Sequence, residues 1–331
     1  MKPIFLAIRP ALLSIASILS VLILASCGSG ETVSSPTTVQ AAATTATNHS
    51  AGAEQPAQPG VGIELPHIHG LGFSVDGSQL LVPAHNGLRI YQDQKWSLPA
   101  LPAHDYMGFS ASDDGFYSSG HPDPAVGGIN PLGLVKTQDA GKSLTKLGFA
   151  GESDFHLMAV SYHSHALYIA NPAANSTLQA GIYYTLDDGQ SWQPSAFHGV
   201  TSAPLQLAVH PSAANQVAVA SEGGLFTSTD FGNTFTLIGD PVPISAVTFD
   251  PNGQRMLFGF RQLSAFDLAS KQFTPLAVPN IAEDDGINYI AVNATNRDQM
   301  ALATYKRSLY FTNDSGKTWS LIAENGMTTT Q

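Results

Sequence analysis

The 331-residue chain contains a single cysteine, Cys27, and few charged residues of either sign. One cysteine excludes an intrachain disulfide, and it excludes any metal or redox site built from several thiolates. Basic residues are especially scarce, because 14 lysines and arginines stand against 25 aspartates and glutamates. An acidic protein is repelled by phosphate backbones and anionic lipid surfaces, so we expect no nucleic-acid partner.

The long apolar run of the sequence lies near the N-terminus, where a basic start precedes residues 11–25. A short apolar segment followed by small residues is typical of a secretion signal rather than a spanning helix. Leu24-Ala25-Ser26-Cys27 resembles a bacterial lipobox, which implies a lipid anchor on Cys27. The sequence therefore predicts a signal peptide over residues 1–26 and an extracytoplasmic protein anchored to a bacterial membrane. The alternative is an ordinary cleavage site beside an incidental cysteine.

Residues 27–60 consist mainly of Ser, Thr, Ala, Gln and Pro. Such a segment cannot bury enough apolar surface to fold, so we expect the lipidated cysteine to continue into a disordered tether. From residue 61 to residue 331 the sequence has the short apolar runs and frequent turn residues of a β protein. Loss of residues 1–26 removes two basic residues and no acidic one, which leaves a net charge of −13.

A pattern of the form Ser/Thr-x-Asp-x-Gly-x-Ser/Thr, followed by an apolar residue that is aromatic in three copies, recurs along this region. Its aspartates stand 48, 43 and 84 residues apart. The last spacing is close to two periods of about 42 residues, so a degenerate copy is expected near residues 264–273. The residues to which we assign structural roles in these turns are Asp139, Gly141, Asp187, Gly189, Trp192, Asp230, Gly232, Asp314, Gly316 and Trp319.

In each copy the aspartate can accept backbone N–H groups, the glycine supplies a positive φ, and the aromatic residue packs as an anchor. The pattern resembles the Asp-box (BNR) repeat of sialidases, sortilin-type receptors and photosystem-assembly propellers. The resemblance and the repeat length together predict an all-β fold, a single β-propeller of six blades with four antiparallel strands each. In that family the repeats lie on the face away from the ligand. The sequence does not predict how the ring closes.

Histidines cluster in the first three predicted blades, at positions that repeat from blade to blade. Each precedes an inner strand or follows a second strand, and these positions open on the face opposite the repeated turns. Imidazoles beside carboxylates are usual ligands of zinc, copper, nickel or iron, and Asp105 or Asp154 could orient them. The six candidate metal ligands are His67, His69, His85, His104, His121 and His156. The alternative is that these histidines cap strand ends.

The same positions in blades 4 to 6 carry other polar residues. We predict that a ligand contacts Asp105, Asp154, Glu222, Arg261 and Tyr289, while the catalytic residues, if any, stay unassigned. A sialidase needs three substrate-binding arginines, an Arg-Ile-Pro motif and a Tyr–Glu nucleophile pair. Neither the arginines nor the motif is found, so sialidase activity is not expected.

The sequence segments around His67–Leu71 and Ser119–Pro122 resemble those of bacterial secreted or lipoprotein propellers that are labelled glycosyl hydrolase-like. The sequence thus favours a membrane-tethered propeller that binds an unknown protein or small molecule on its histidine-rich face. A divalent transition metal, zinc or copper, would be its cofactor. One alternative is a glycoside hydrolase-like or metal-dependent hydrolase that uses the same face. Another is a non-catalytic scaffold similar to sortilin or to an assembly factor.

Overall fold

The computed structural model describes residues 55–56 and 62–329 of the chain. The predicted signal peptide, Cys27 and nearly all of the predicted tether lie outside these described residues. In the described part every regular element is a β-strand, and the strands form six antiparallel sheets. The sheets follow one another along the chain as the blades of a propeller, which confirms the predicted fold. No helix in this part is long and apolar enough to cross a membrane.

Within each blade, consecutive strands pair with one another from the inner strand to the outer one. A short first strand, β1, adds to the outer edge of blade 1. Blade 1 contains β1 (Gln55–Pro56), β2 (Gly72–Phe73), β3 (Leu80–Ala84), β4 (Gly87–Gln92) and β5 (Lys95–Leu98). Blade 2 contains β6 (Asp105–Ser112), β7 (Gly115–His121), β8 (Leu134–Thr137) and β9 (Thr145–Gly148). Blade 3 contains β10 (Met158–Val160), β11 (Leu167–Asn171), β12 (Gly181–Thr185) and β13 (Gln193–Ser195).

The second half of the ring repeats this order, with one extra strand at the outer edge of blade 6. Blade 4 contains β14 (Pro204–Val209), β15 (Val217–Ser221), β16 (Gly224–Ser228) and β17 (Thr236–Ile238). Blade 5 contains β18 (Ala246–Phe249), β19 (Arg255–Gly259), β20 (Leu263–Asp267) and β21 (Phe273–Leu276). Blade 6 contains β22 (Ile287–Val292), β23 (Met300–Thr304), β24 (Leu309–Thr312), β25 (Ser320–Glu324) and β26 (Met327–Thr328).

The hydrophobic core lies between neighbouring blades, because each sheet packs on the next with its flat face. The second strands β3, β15 and β23 are therefore buried at every position and do not alternate between polar and apolar residues. Tyr117 and Leu134 of blade 2, for example, pack against Met158 and Leu167 of blade 3. The blades are thus joined by apolar contacts around a central channel.

The repeated turns join the third and fourth strands of blades 2, 3, 4 and 6. In blade 3, Thr185 Oγ1 donates to Asp187 Oδ1 (2.7 Å) and accepts from Gly189 N (3.0 Å). Ser191 donates its backbone N–H and its hydroxyl to the two oxygens of Asp187, at 2.8 and 2.6 Å. These bonds, led by the Ser191 hydroxyl, lower the pKa of Asp187 to about 2. The turns around Asp139, Asp230 and Asp314 repeat this network.

Glycine is required in these turns because its φ lies in the left-handed region, at +83° for Gly189. The tryptophan that follows a turn packs toward the preceding blade: the Trp319 Nε1–H donates to the carbonyl of Ala277 at 3.0 Å. The ring of Trp192 lies 5.8 Å from that of Phe149. These turns therefore stabilise their own hairpin and the contact between successive blades.

The ring closes at blade 6, where the segment between β1 and β2 pairs with residues of the last strand and of the turn before it. Ile63 accepts the backbone N–H of Thr328 at 3.0 Å, and Leu65 N donates to the carbonyl of Gly326 at 2.7 Å. Trp96 Nε1 of blade 1 donates to Ile322 O of blade 6 at 2.9 Å. The two ends of the described propeller are thus held together by backbone hydrogen bonds.

Candidate functional site

Strand direction divides the loops of the propeller between two faces. Because neighbouring strands are antiparallel, the loops after first and third strands lie on one face, and this turn face carries the aspartate turns. The loops after second strands and the segments that lead into inner strands lie on the other face. The structure places all six predicted histidines in these latter positions, and we name this surface the histidine face. They are His67, His69, His85, His104, His121 and His156.

Three side chains from blades 1 and 2 converge on this face. Asp105, the first residue of β6, lies with one oxygen 3.2 Å from His69 Nε2 and the other 2.7 Å from His85 Nδ1. His69 and Asp105 are buried, whereas His85 is 60% exposed. One ligand atom from each residue lies within 4.8 Å of the others. We call this set the first triad.

The backbone fixes both histidines of the first triad. His69 N donates to the carbonyl of Pro83 at 3.0 Å, and His85 N donates to the carbonyl of His67 at 3.1 Å. Ile68 and Ala84 form an isolated antiparallel bridge between them. The two imidazoles therefore approach each other, with ring centroids 6.0 Å apart, before any ligand binds.

Two atoms of the first triad lack the hydrogen bonds that buried polar groups normally make. His69 Nε2 and Asp105 Oδ1 are both buried, and neither has a hydrogen-bond partner, although they lie 3.2 Å apart. An unmade bond of this kind costs about 1–3 kcal/mol per group. Two ligand atoms bound at about 2.0–2.1 Å to a tetrahedral zinc ion lie about 3.3 Å apart. The spacing of 3.2 Å is therefore compatible with two ligands of one cation.

A second set of the same composition joins blades 2 and 3. Asp154 Oδ2 lies 3.3 Å from His121 Nε2 and 2.6 Å from His156 Nε2. The other ring nitrogen of His121 lies 2.6 Å from Asn130 Oδ1. The hydrogen bond to Asp154 raises the pKa of His156 above its ordinary value. We call His121, Asp154 and His156 the second triad.

The remaining two histidines join neither triad. The His67 ring lies 5.0 Å from the His69 ring, and burial together with the nearby His69 lowers the pKa of His67. His104 Nδ1 accepts the backbone N–H of Asp123 at 2.9 Å, and its ring packs edge-on against Tyr106. Burial lowers the pKa of His104. His104 therefore orders a loop of blade 2.

The central channel opens beside both triads. It has a volume of about 160 Å³, and its lining includes His69, His156 and Tyr289. Burial raises the pKa of Tyr289 to about 12, so this phenol stays protonated at neutral pH.

Glu222, the predicted residue of blade 4, lies at a separate pocket of about 350 Å³ on the same face. Glu222, Phe260, Asp284 and Tyr305 are among its lining residues. Arg261 is exposed and helps to lower the pKa of Asp284, after the larger effect of Lys306, which forms an ion pair with that carboxylate. The structure thus does not bring Glu222 and Arg261 to either triad.

A third group of histidines and carboxylates, on the turn face, was not predicted from the sequence. His163 Nδ1 and His165 Nε2 of blade 3 lie 2.9 and 2.6 Å from the two oxygens of Asp113 in blade 2. Lys136 Nζ lies 2.9 Å from Asp114 and 3.4 Å from Asp188. We call this group the clasp. The sequence signal for this group is Asp113-Asp114 in the loop after the first strand of blade 2, followed by His163-Ser164-His165 in the same loop of blade 3.

No protein-family model matches the chain, and no curated protein matches it. Several solved structures do match the chain, and two of them are GH74 enzymes. A GH74 xyloglucanase from Xanthomonas campestris is 15% identical, over 82% of this chain and 47% of that one, with a TM-score of 0.50. A GH74 enzyme from Niastella koreensis is 16% identical, over 81% of this chain and 46% of that one, with a TM-score of 0.52.

A structure of YCF48 bound to D1 peptide is 16% identical, over 81% of this chain and 86% of that one, with a TM-score of 0.46. The chain spans about half the length of the two GH74 structures, at 47% and 46% of them. At this level of identity the GH74 similarities support the propeller fold alone.

Proposed function

We propose that this chain is a membrane-tethered, extracytoplasmic propeller that binds a divalent transition metal at the first triad and holds a ligand or partner through it. The observation that carries the proposal is the buried, unpartnered pair of His69 Nε2 and Asp105 Oδ1, 3.2 Å apart. A cation between these atoms would satisfy both at once. His85 supplies the third ligand from the rim.

The chemistry of the ligand set favours zinc or copper. Imidazole nitrogens suit zinc, copper and nickel, whereas magnesium and calcium prefer all-oxygen sites. Three protein ligands leave a coordination position open, as in catalytic rather than structural zinc sites. That position would be taken by a donor atom of the ligand, for which the adjoining channel and the Tyr289 hydroxyl offer further contacts.

The experiment is a titration of the untagged full chain with Zn²⁺ and Cu²⁺, followed by calorimetry and metal analysis. We expect stoichiometric binding that weakens by on the order of 100-fold or more in His69→Ala, because a ligand atom is lost. His198→Ala is the matched control, since His198 is exposed and lies outside the three histidine groups. Equal binding by the wild type and His69→Ala would contradict the proposal. Absence of binding by the folded wild type would also contradict the metal site.

A metal-dependent hydrolase is the second candidate, favoured by the same open position. Zinc with three protein ligands lowers the pKa of bound water to about 7, which makes it a nucleophile at neutral pH. Turnover should be measured on a glycoside panel that includes xyloglucan, because one similar structure is a xyloglucanase. Activity that is lost in Asp105→Asn but kept in His198→Ala would support hydrolysis. A panel without turnover would contradict it and leave metal binding intact.

The tether is part of the same proposal and has its own test. Lipidation of Cys27 would hold the propeller near a membrane by acyl chains. We expect the wild type to partition into the detergent phase after phase separation and Cys27→Ser to stay in the aqueous phase. Equal partition of the two proteins would contradict the anchor.

A further inference from the structure

We propose that the second triad, His121, Asp154 and His156, is a second divalent-cation site, so that the histidine face holds two metal ions. This inference deepens the proposed function, on which it rests. It concerns a different carboxylate and different histidines, contributed by blades 2 and 3. Its ligand chemistry is that of the first triad, and its cation is of the same class, zinc or copper.

The first argument is the placement of the proton on His121. Its Nδ1 lies 2.6 Å from the side-chain oxygen of Asn130, an acceptor, so Nδ1 carries the hydrogen. In the tautomer with that hydrogen, Nε2 is an acceptor, and it lies 3.3 Å from Asp154 Oδ2. The same oxygen is hydrogen-bonded to His156 Nε2 at 2.6 Å, so a cation bound beside it would be coordinated by His121 as well. A hydrogen bond on the second ring nitrogen fixes the tautomer and the orientation of a ligating histidine.

The second argument is that one histidine–carboxylate spacing recurs in both triads, although only the first triad has all three ligand atoms within 4.8 Å of one another. His121 Nε2 and Asp154 Oδ2 are 3.3 Å apart, and His69 Nε2 and Asp105 Oδ1 are 3.2 Å apart. Both values match the distance of about 3.3 Å between two ligands of a tetrahedral zinc ion. His156, at 2.6 Å from the same oxygen, is 62% exposed, so its ring has room to move outward and become the third ligand.

The third argument is the repeated position of each ligand in the fold. His85 and His121 both end the second strand of a blade or follow it, and Asp105 and Asp154 both lie where the chain leads into the next inner strand. Each carboxylate thus meets a histidine of the preceding blade. The triads adjoin each other, since Asp105 and His121 are paired across β6 and β7, and His69 and His156 both line the channel.

The test is the stoichiometry of Zn²⁺ bound by the untagged full chain, with Zn²⁺ alone as the probe. We expect two ions per wild-type chain, one in Asp154→Asn, one in His69→Ala and none in the double variant. Asn130→Ala should lower the affinity of one site by about 10–100-fold while leaving the other unchanged, because it removes only the orienting oxygen. Thermal melting of each variant without metal reports whether it is folded.

The outcomes separate this inference from the proposal on which it rests. One ion per chain, lost in His69→Ala and kept in Asp154→Asn, would overturn the second site alone. One ion that is lost in Asp154→Asn and kept in His69→Ala would support the second triad and overturn the first. If Asp154→Asn unfolds, Asn130→Ala decides: unchanged affinity at both sites would overturn the inference. No bound ion in a folded wild type would overturn both.

Discussion

The propeller carries two contrasting arrangements of histidine and aspartate, one on each face. In the clasp, both oxygens of Asp113 have an imidazole within 2.9 Å, and a lysine ammonium lies between Asp114 and Asp188. In the first triad, a buried imidazole nitrogen and a buried carboxylate oxygen lie side by side without a hydrogen bond. The residue types are the same, and ligand atoms of Asp113, Asp114 and His165 also lie within 4.8 Å of one another. Of these two groups, however, only the first triad has buried atoms without a hydrogen-bond partner.

This difference distinguishes a network that the fold itself completes from the site that we propose for a metal ion. The clasp already contains its cation, the ammonium of Lys136, and it joins blades 2 and 3 without any added ion. In the first triad, His69 Nε2 and Asp105 Oδ1 have no hydrogen-bond partner, and buried polar atoms without partners are costly. Composition alone therefore does not identify a metal site. The state of each polar atom does.

The largest expected difference between the two regions is in metal affinity. His85→Ala removes a predicted ligand from the first triad and should lower zinc affinity by on the order of 100-fold. His163→Ala removes an imidazole of the same type from the clasp, and zinc affinity should not change. Calorimetric titration of both variants checks the prediction. A loss of affinity in His163→Ala as large as in His85→Ala would contradict the distinction.

The second expected difference is in how metal binding at the first triad and the stability contributed by the clasp depend on pH. Zinc competes with protons for imidazole, whose ordinary pKa is about 6.5, so metal binding should weaken as pH falls from about 7.5 to 5.5. The carboxylate of Asp113 in the clasp has a pKa below its ordinary value. Burial alone would raise the pKa of Asp113, but the hydrogen bonds from His163 and His165 outweigh it and hold that pKa below its ordinary value.

A carboxylate with a depressed pKa stabilises the fold above its unfolded pKa of about 3.9, and this contribution is lost as pH falls through the folded value. The aspartate turns follow the same sign, with the pKa of Asp187 at about 2. We therefore expect zinc to be released at about pH 5.5 while the propeller is still folded. The propeller itself should lose stability only below about pH 4. Zinc release and circular dichroism, measured together, would contradict this if the fold and the metal were lost at one pH.

A smaller difference is expected in the stability of the metal-free protein. Lys136→Met leaves Asp114 and Asp188 without their cation, and we expect a loss of about 1–3 kcal/mol because both carboxylates are partly exposed. His69→Ala removes one unpartnered atom and should cost less. Urea unfolding of both variants without metal makes the comparison. A greater loss of stability in His69→Ala would mean that the first triad is structural.

Much of the fold could be predicted from the sequence because the repeated turn is held by hydrogen bonds between residues that are close in sequence. Thr185, Asp187 and Gly189 bond to one another within five residues, so their types and spacing identify the hairpin. Ring closure was not predictable, because it depends on backbone bonds between Ile63 and Thr328 that no local pattern signals.

The candidate site was predicted in position but not in detail. The register of the blades identified the histidine face, because a loop of one blade recurs at the same place in the next. It did not separate His104, which orders a loop, from His69, which lies in a triad. It also did not identify His163 and His165, since partners from different blades, such as Asp113, are recognised only once the blades are packed.

The most direct test of the account is a crystal structure of the zinc-soaked protein with anomalous diffraction recorded at the zinc edge. The account predicts an anomalous peak about 2.0–2.2 Å from His69 Nε2 and from an oxygen of Asp105. It also predicts that the clasp on the turn face has no peak. A first triad without a peak, with His69 and Asp105 joined by an aligned hydrogen bond, would contradict the central claim.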